Sequence, residues 1–124
     1  MQAATQKTFY TLSENNGILI ATVRKRISVA EFRDILIVMR EEAFVKNINK
    51  LLLDAYSVDF SNVTMSERHD IGLATVEILK SDFKGVMVLQ REHINKHGEN
   101  VANNRGANAF VTDSMEEALA WLNK

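Results

Sequence analysis

The period of apolar and polar positions changes repeatedly along this chain, and the changes mark its elements. Residues 7–13 read as a strand, "ENNG" at 14–17 as a turn, and "ILIATV" at 18–23 as a second strand that can pair with the first as a hairpin. Ser28 with Glu31 has the spacing of a capping box, and Ile27 can staple against Phe32. The helix that follows places Phe32, Leu36, Met39 and Ala43 on one face. "KLLLDAY" at 50–56 is a third strand, and a second helix runs from about Thr64 to Leu79 with a broad apolar side. "GVMVLQ" at 85–90 is a fourth strand, 96–105 a short helix closed by Gly106, and 107–112 a fifth strand. Ser114 with Glu117 repeats the capping-box spacing and opens the last helix.

The order β-β-α-β-α-β-α-β-α predicts an α/β fold with a five-stranded mixed sheet and about four helices. Right-handed crossovers between neighbouring strands that advance one way put every crossover helix on the same face. The inner strands are apolar at both parities, as in Ile18 and Ile20 against Leu19, Ala21 and Val23. Such strands are buried on both faces. The second face then needs a cover: the hairpin, a helix that crosses over, or another chain. The last option makes a homodimer the expected assembly.

Composition adds mainly exclusions. The chain has 124 residues, suited to one domain spanning 1–124, with 46% hydrophobic and 25% charged residues. It has no cysteine, which rules out disulfides and thiolate metal sites, and its net charge of −1 offers no field to gather nucleic acid. The polar opening "MQAATQKTFYTLSENN" has no apolar core, and no apolar run is long enough for a membrane span. A cytoplasmic protein without cofactor or membrane span is the expectation.

The passage "LLLDAYSVDFSNVTMSER" and the ending "NNRGANAFVTDSMEEALAWL" resemble the SpoIIAA-like (STAS-related) family, over nearly the whole chain. The terminal block carries the strongest local likeness, in Asn104, Arg105, Gly106, Phe110 and 118–122. The resemblance implies a β-α superhelix with helices on one side of the sheet. It also implies a non-enzymatic module that binds a regulatory protein partner through the second helix and the loop before it, in some members switched by phosphorylation there. Ser61, Thr64, Ser66 and Arg68 are the candidate partner-binding or modification residues that it brings forward. The antagonist branch has Gly soon after its Ser or Thr. Here Ser66-Glu67-Arg68-His69-Asp70 follows, and the first glycine is Gly72. A phosphate at a helix start is favoured by free N–H groups and by Arg68, whereas Glu67 repels it. Thr64 with Glu67 also forms a capping box, which accounts for the threonine without a switch.

Other candidates are weaker. His93 and His97 are spaced like two ligands on a helix, with His69 as a third to be recruited, but the zinc-protease Glu after the first His is replaced by Ile94. Ser66, His69 and Asp70 are the residue types of a hydrolase triad, yet sequence neighbours on a helix do not face one another. Arg24-Lys25-Arg26 lacks the aromatic platform of a nucleic-acid site. Trp121 reads as a core contact of the last helix. The alternative function is a carrier for a small apolar, lipid-type ligand. A pocket lined by Leu, Val and Phe side chains but not filled by them favours the carrier, and a closed core favours the interaction module.

Overall fold

The computed structural model describes residues 9–124; residues 7 and 8 of the first predicted strand lie outside the described residues. The order is β1 (Tyr10–Asn15), β2 (Ile18–Val23), α1 (Val29–Lys46), β3 (Lys50–Asp54), α2 (Met65–Leu79), β4 (Lys84–Val88), a single 3₁₀ turn (Arg91–His93), α3 (His97–Asn104), β5 (Asn108–Thr112) and α4 (Met115–Leu122). The sheet has five strands in sequence order, β1 antiparallel to β2 and every other neighbouring pair parallel. The fold is thus the α/β arrangement of mixed sheet and four helices that the alternation predicts.

Local chemistry explains the boundaries. The hairpin turn is only Asn16-Gly17, with φ of 54° and 80°. Both residues lie in the left-handed region, as a two-residue hairpin turn requires. β1 therefore runs on to Asn15, two residues beyond the expected end at 13. Ser28 and Thr64 each accept a hydrogen bond from the N–H three residues on, at 3.0 Å, while Glu31 and Glu67 reach back to the cap N–H at 2.9 Å. Both expected capping boxes are complete. The third is only half formed. Ser114 Oγ accepts from Glu117 N–H at 3.1 Å, but the Glu117 carboxylate is taken by the Thr112 hydroxyl. That hydroxyl in turn accepts the Ser114 N–H at 3.2 Å, so Thr112 stands between cap and glutamate.

The first face of the sheet carries the larger core. Leu19, Ala21, Val23, Leu51 and Leu53 pack there against Phe32, Ile35, Leu36 and Met39 of α1 and Ala74, Ile78 and Leu79 of α2. On the second face Ile18, Leu52, Val86 and Val88 are covered by Ala118 and Leu122 of α4, with Phe110 stacked on Trp121 at 5.4 Å. α4 escapes the one-face expectation for a simple reason: no parallel strand follows it, so the crossover rule does not constrain it. The part of this face that α4 leaves uncovered is largely polar, with Thr11, Ser13 and Thr22 beside Ile20. The chain's own last helix supplies the cover for which a second chain was invoked.

α2 and α3 meet at a glycine pair. A β-carbon on Gly72 would lie 2.5 Å from the Gly98 carbonyl oxygen and 2.9 Å from Val101 Cβ; one on Gly98 would lie 2.8 Å from the Arg68 carbonyl oxygen. Backbone rather than flexible side chain fills these spaces, so neither position can accept a methyl group without parting the helices. We expect Gly72→Ala to destabilise the protein by about 1–3 kcal/mol despite alanine's better helix propensity. Urea denaturation measures this, and an unchanged midpoint would contradict the close packing.

Candidate ligand cavity

The strand register leaves a gap on the first face. Leu51, Gly85 and Ala109 are directly paired across β3, β4 and β5, and the next row on that face is Leu53, Met87 and Val111. Side-chain volume therefore drops away where Gly85 and Ala109 lie side by side. Leu79 of α2 packs directly over Gly85, its Cδ1 3.3 Å from where a β-carbon there would lie, and Phe32, Leu36 and Met39 of α1 and Ile71 and Thr75 of α2 close over the remainder. The result is a cavity of about 100 Å³ with an almost wholly apolar wall. A separate, smaller pocket of about 20 Å³ lies beside it, lined among others by Phe60, Val63, Ile27 and Ser28. At the carboxyl end of the strands the wall is completed by Arg68, Ile94, Asn95 and Lys96, which is where ligands bind in open α/β sheets.

One wall of the cavity also seals the sheet. Lys96, Glu99 and Asn103 treat the outer edge of β5 as a neighbouring strand would. Asn103 Oδ1 accepts the Ala109 N–H at 2.8 Å, and its amide donates to the Ala109 carbonyl at 2.9 Å. Glu99 Oε2 accepts the Val111 N–H at 2.6 Å, and Lys96 Nζ donates to the Val111 carbonyl at 2.6 Å. Glu99, its side chain only 11% exposed, has its charge met by Lys96 at 3.4 Å. Lys96 sits at φ 67°, a left-handed backbone that disfavours a side chain, and its ammonium also lies 5.0 Å from the centre of the Phe110 ring.

The remaining polar groups of the wall divide sharply. Thr75 Oγ1 donates to the Ile71 carbonyl at 2.8 Å, and Asn95 binds Met65 Sδ at 3.2 Å and the His97 N–H at 3.0 Å. Arg68 differs. It heads the α2 stripe of cavity-lining residues that continues with Ile71, Thr75 and Leu79, and its side chain has no hydrogen-bond or ion-pair partner among the described residues. Burial pulls its pKa down from the ordinary arginine range; an arginine nonetheless stays protonated at neutral pH.

The candidate residues from the sequence do not form one cluster. Ser61 is exposed, its N–H held by Asp59 Oδ1 at 2.9 Å in a local turn. Thr64 is occupied as the cap of α2, and Ser66 is exposed in the first turn. Arg68, two residues further and so on roughly the opposite side of the helix from Ser66, belongs to the cavity. The cation that approaches Glu67 is instead Arg26, at 3.6 Å. His93 pairs with Asp59 at 3.7 Å, whereas the His97 ring lies 5.6 Å from that of His69. The 3₁₀ turn thus separates the two histidines that helical spacing would align, and no cluster of three metal-ligating groups occurs among the described residues. Trp121 packs on the core as expected.

The cavity itself was invisible in the linear sequence, because Gly85 and Ala109 become neighbours only once the register is known. Arg68 left a clearer trace: a charge at the head of an apolar helical stripe.

At the helix start, the hydrogen bond from the Thr64 N–H holds the Glu67 carboxyl below its ordinary 4.5, with the Thr64 hydroxyl and Arg26 acting in the same direction. A depressed folded-state pKa contributes stability above the unfolded value and loses it as pH falls through the folded value. Acid titration from about pH 4.5 downward should therefore weaken the wild type more than Glu67→Gln; parallel stability curves would contradict the assignment.

The chain matches no protein-family model and no curated protein significantly.

Proposed function

We propose that this protein binds a small molecule with an apolar body, in the manner of a carrier or ligand-sensing module, and catalyses no reaction on it. The cavity beneath α1 and α2 carries this reading. The cavity offers about 100 Å³ of space against an almost wholly apolar wall that is partly open to water, a surface that gains by being covered with an apolar body. A larger side chain at Ala109 would fill part of this space, so the space left open has the character of a site. Its volume suits a single ring or a chain of roughly six carbons, since a cavity of about 150 Å³ holds benzene. The polar groups of the wall support binding over chemistry: Lys96 and Glu99 are committed to each other and to β5, leaving no paired acid and base facing the void.

A protein-interaction role, including a homodimer, draws support from a different place. Val38, Phe44 and Val45 project from α1 into solvent, the last two 82% and 80% exposed. If this surface is where copies meet, light scattering should give twice the chain mass for the wild type and the single-chain mass for Phe44→Glu. A wild-type monomer at the highest concentrations would remove the dimer.

For the cavity, the direct measurement is NMR titration with 1-hexanol. The expected result is saturable shifts centred on Leu53, Met87 and Val111, abolished in Ala109→Leu, which fills the gap. Shifts spread evenly over the surface, or unchanged in Ala109→Leu, would overturn the carrier reading.

A further inference from the structure

Resting on that reading, we infer that the ligand carries a carboxylate and that Arg68 is its anchor. Lys96 and Glu99 are the other charged side chains of the main cavity wall, and they lie 3.4 Å apart and cancel. Both also spend hydrogen bonds on Val111, so their charge is neutralised and most of their hydrogen bonding is committed within the protein. Thr75 and Asn95 are satisfied within the protein as well. What remains is the Arg68 guanidinium, which has no partner among the described residues, on an otherwise apolar wall. Arg68 is also partly desolvated, and burial works against its charged form. An apolar stripe that begins with an unpaired guanidinium is unfavourable by itself. It becomes favourable once a planar anion pairs with it, because the fork of N–H donors matches a carboxylate in a two-point hydrogen bond. The smaller pocket beside it adds no competitor, since its carboxylate, Glu67, is engaged by Thr64 and Arg26. A monoanion with a short apolar body satisfies both halves of the wall: its chain lies in the cavity beside Ala109, and its head meets Arg68 near the open end of the strands. The complementary prediction is selectivity against neutral molecules of the same shape.

The test compares hexanoate with hexanamide, which matches it in shape but carries no charge, by calorimetric or NMR titration of the full chain. Wild type should bind hexanoate about tenfold or more tightly than hexanamide, the usual margin for a charge-assisted over a neutral hydrogen bond. In Arg68→Met the preference should vanish while hexanamide affinity stays within about twofold, showing that the cavity still forms. Arg68→Lys should retain part of the preference, since it keeps the charge but loses the fork. Equal affinities in the wild type, or a preference that survives in Arg68→Met, would overturn the anchor and leave the cavity reading standing. If neither compound binds the wild type, both inferences fall together.

Discussion

The contact between Gly72 and Gly98 is the constraint on which the rest of this structure turns. Two helices brought together at backbone distance have no slack, so α3 is held against α2 rather than resting on it. That placement presents Glu99 and Asn103, four residues apart on one side of α3, to the edge of β5. It also brings the start of α3 close to Arg68 and sets the side wall of the cavity. A bulkier residue at either glycine would therefore disturb three things at once: the helix pair, the edge pairing and the void.

The cavity follows from an imbalance between sheet and helices. Along the first face, the strands offer full-sized side chains at Leu19, Leu51 and Leu53 and then almost nothing at Gly85 and Ala109. Leu79 of α2 reaches down onto Gly85, but α1 is held by the tight core around Ile35, Leu36 and Met39 and α2 by its clamp on α3, so the space beside Ala109 stays open. Rigid supports around an underfilled row are what keep a pocket open in a small domain. Arg68 belongs to the same logic, since it stands where an apolar side chain would have packed.

Much of the architecture was legible from residue patterns, and the misses have specific causes. The complete caps at Ser28 and Thr64 and the face formed by Phe32, Leu36, Met39 and Ala43 depend on spacing alone, and spacing is local. The cover that α4 supplies was one of three that the apolar second face left open, and spacing could not choose among them because no strand follows α4 to fix its side. Glu117 was misassigned because capping-box spacing cannot show that Thr112, two residues before Ser114, also competes for its carboxylate. At the site, Arg68 appeared among the candidates as a possible phosphate partner on the strength of its neighbours, whereas its place in the fold is set by the stripe it shares with Ile71 and Leu79. The roles of Glu99 and Asn103 required knowing which strand ends the sheet.

The side-chain pairing along β5 has a further consequence for how the molecule meets others of its kind. Exposed strand edges are templates on which foreign strands add and aggregates grow. Here the amide and carbonyl groups of Ala109 and Val111 are already spoken for, so that flank is inert to such recruitment. Strand-by-strand extension of the sheet is left to the opposite flank, where among the described residues β1 has β2 on one side only.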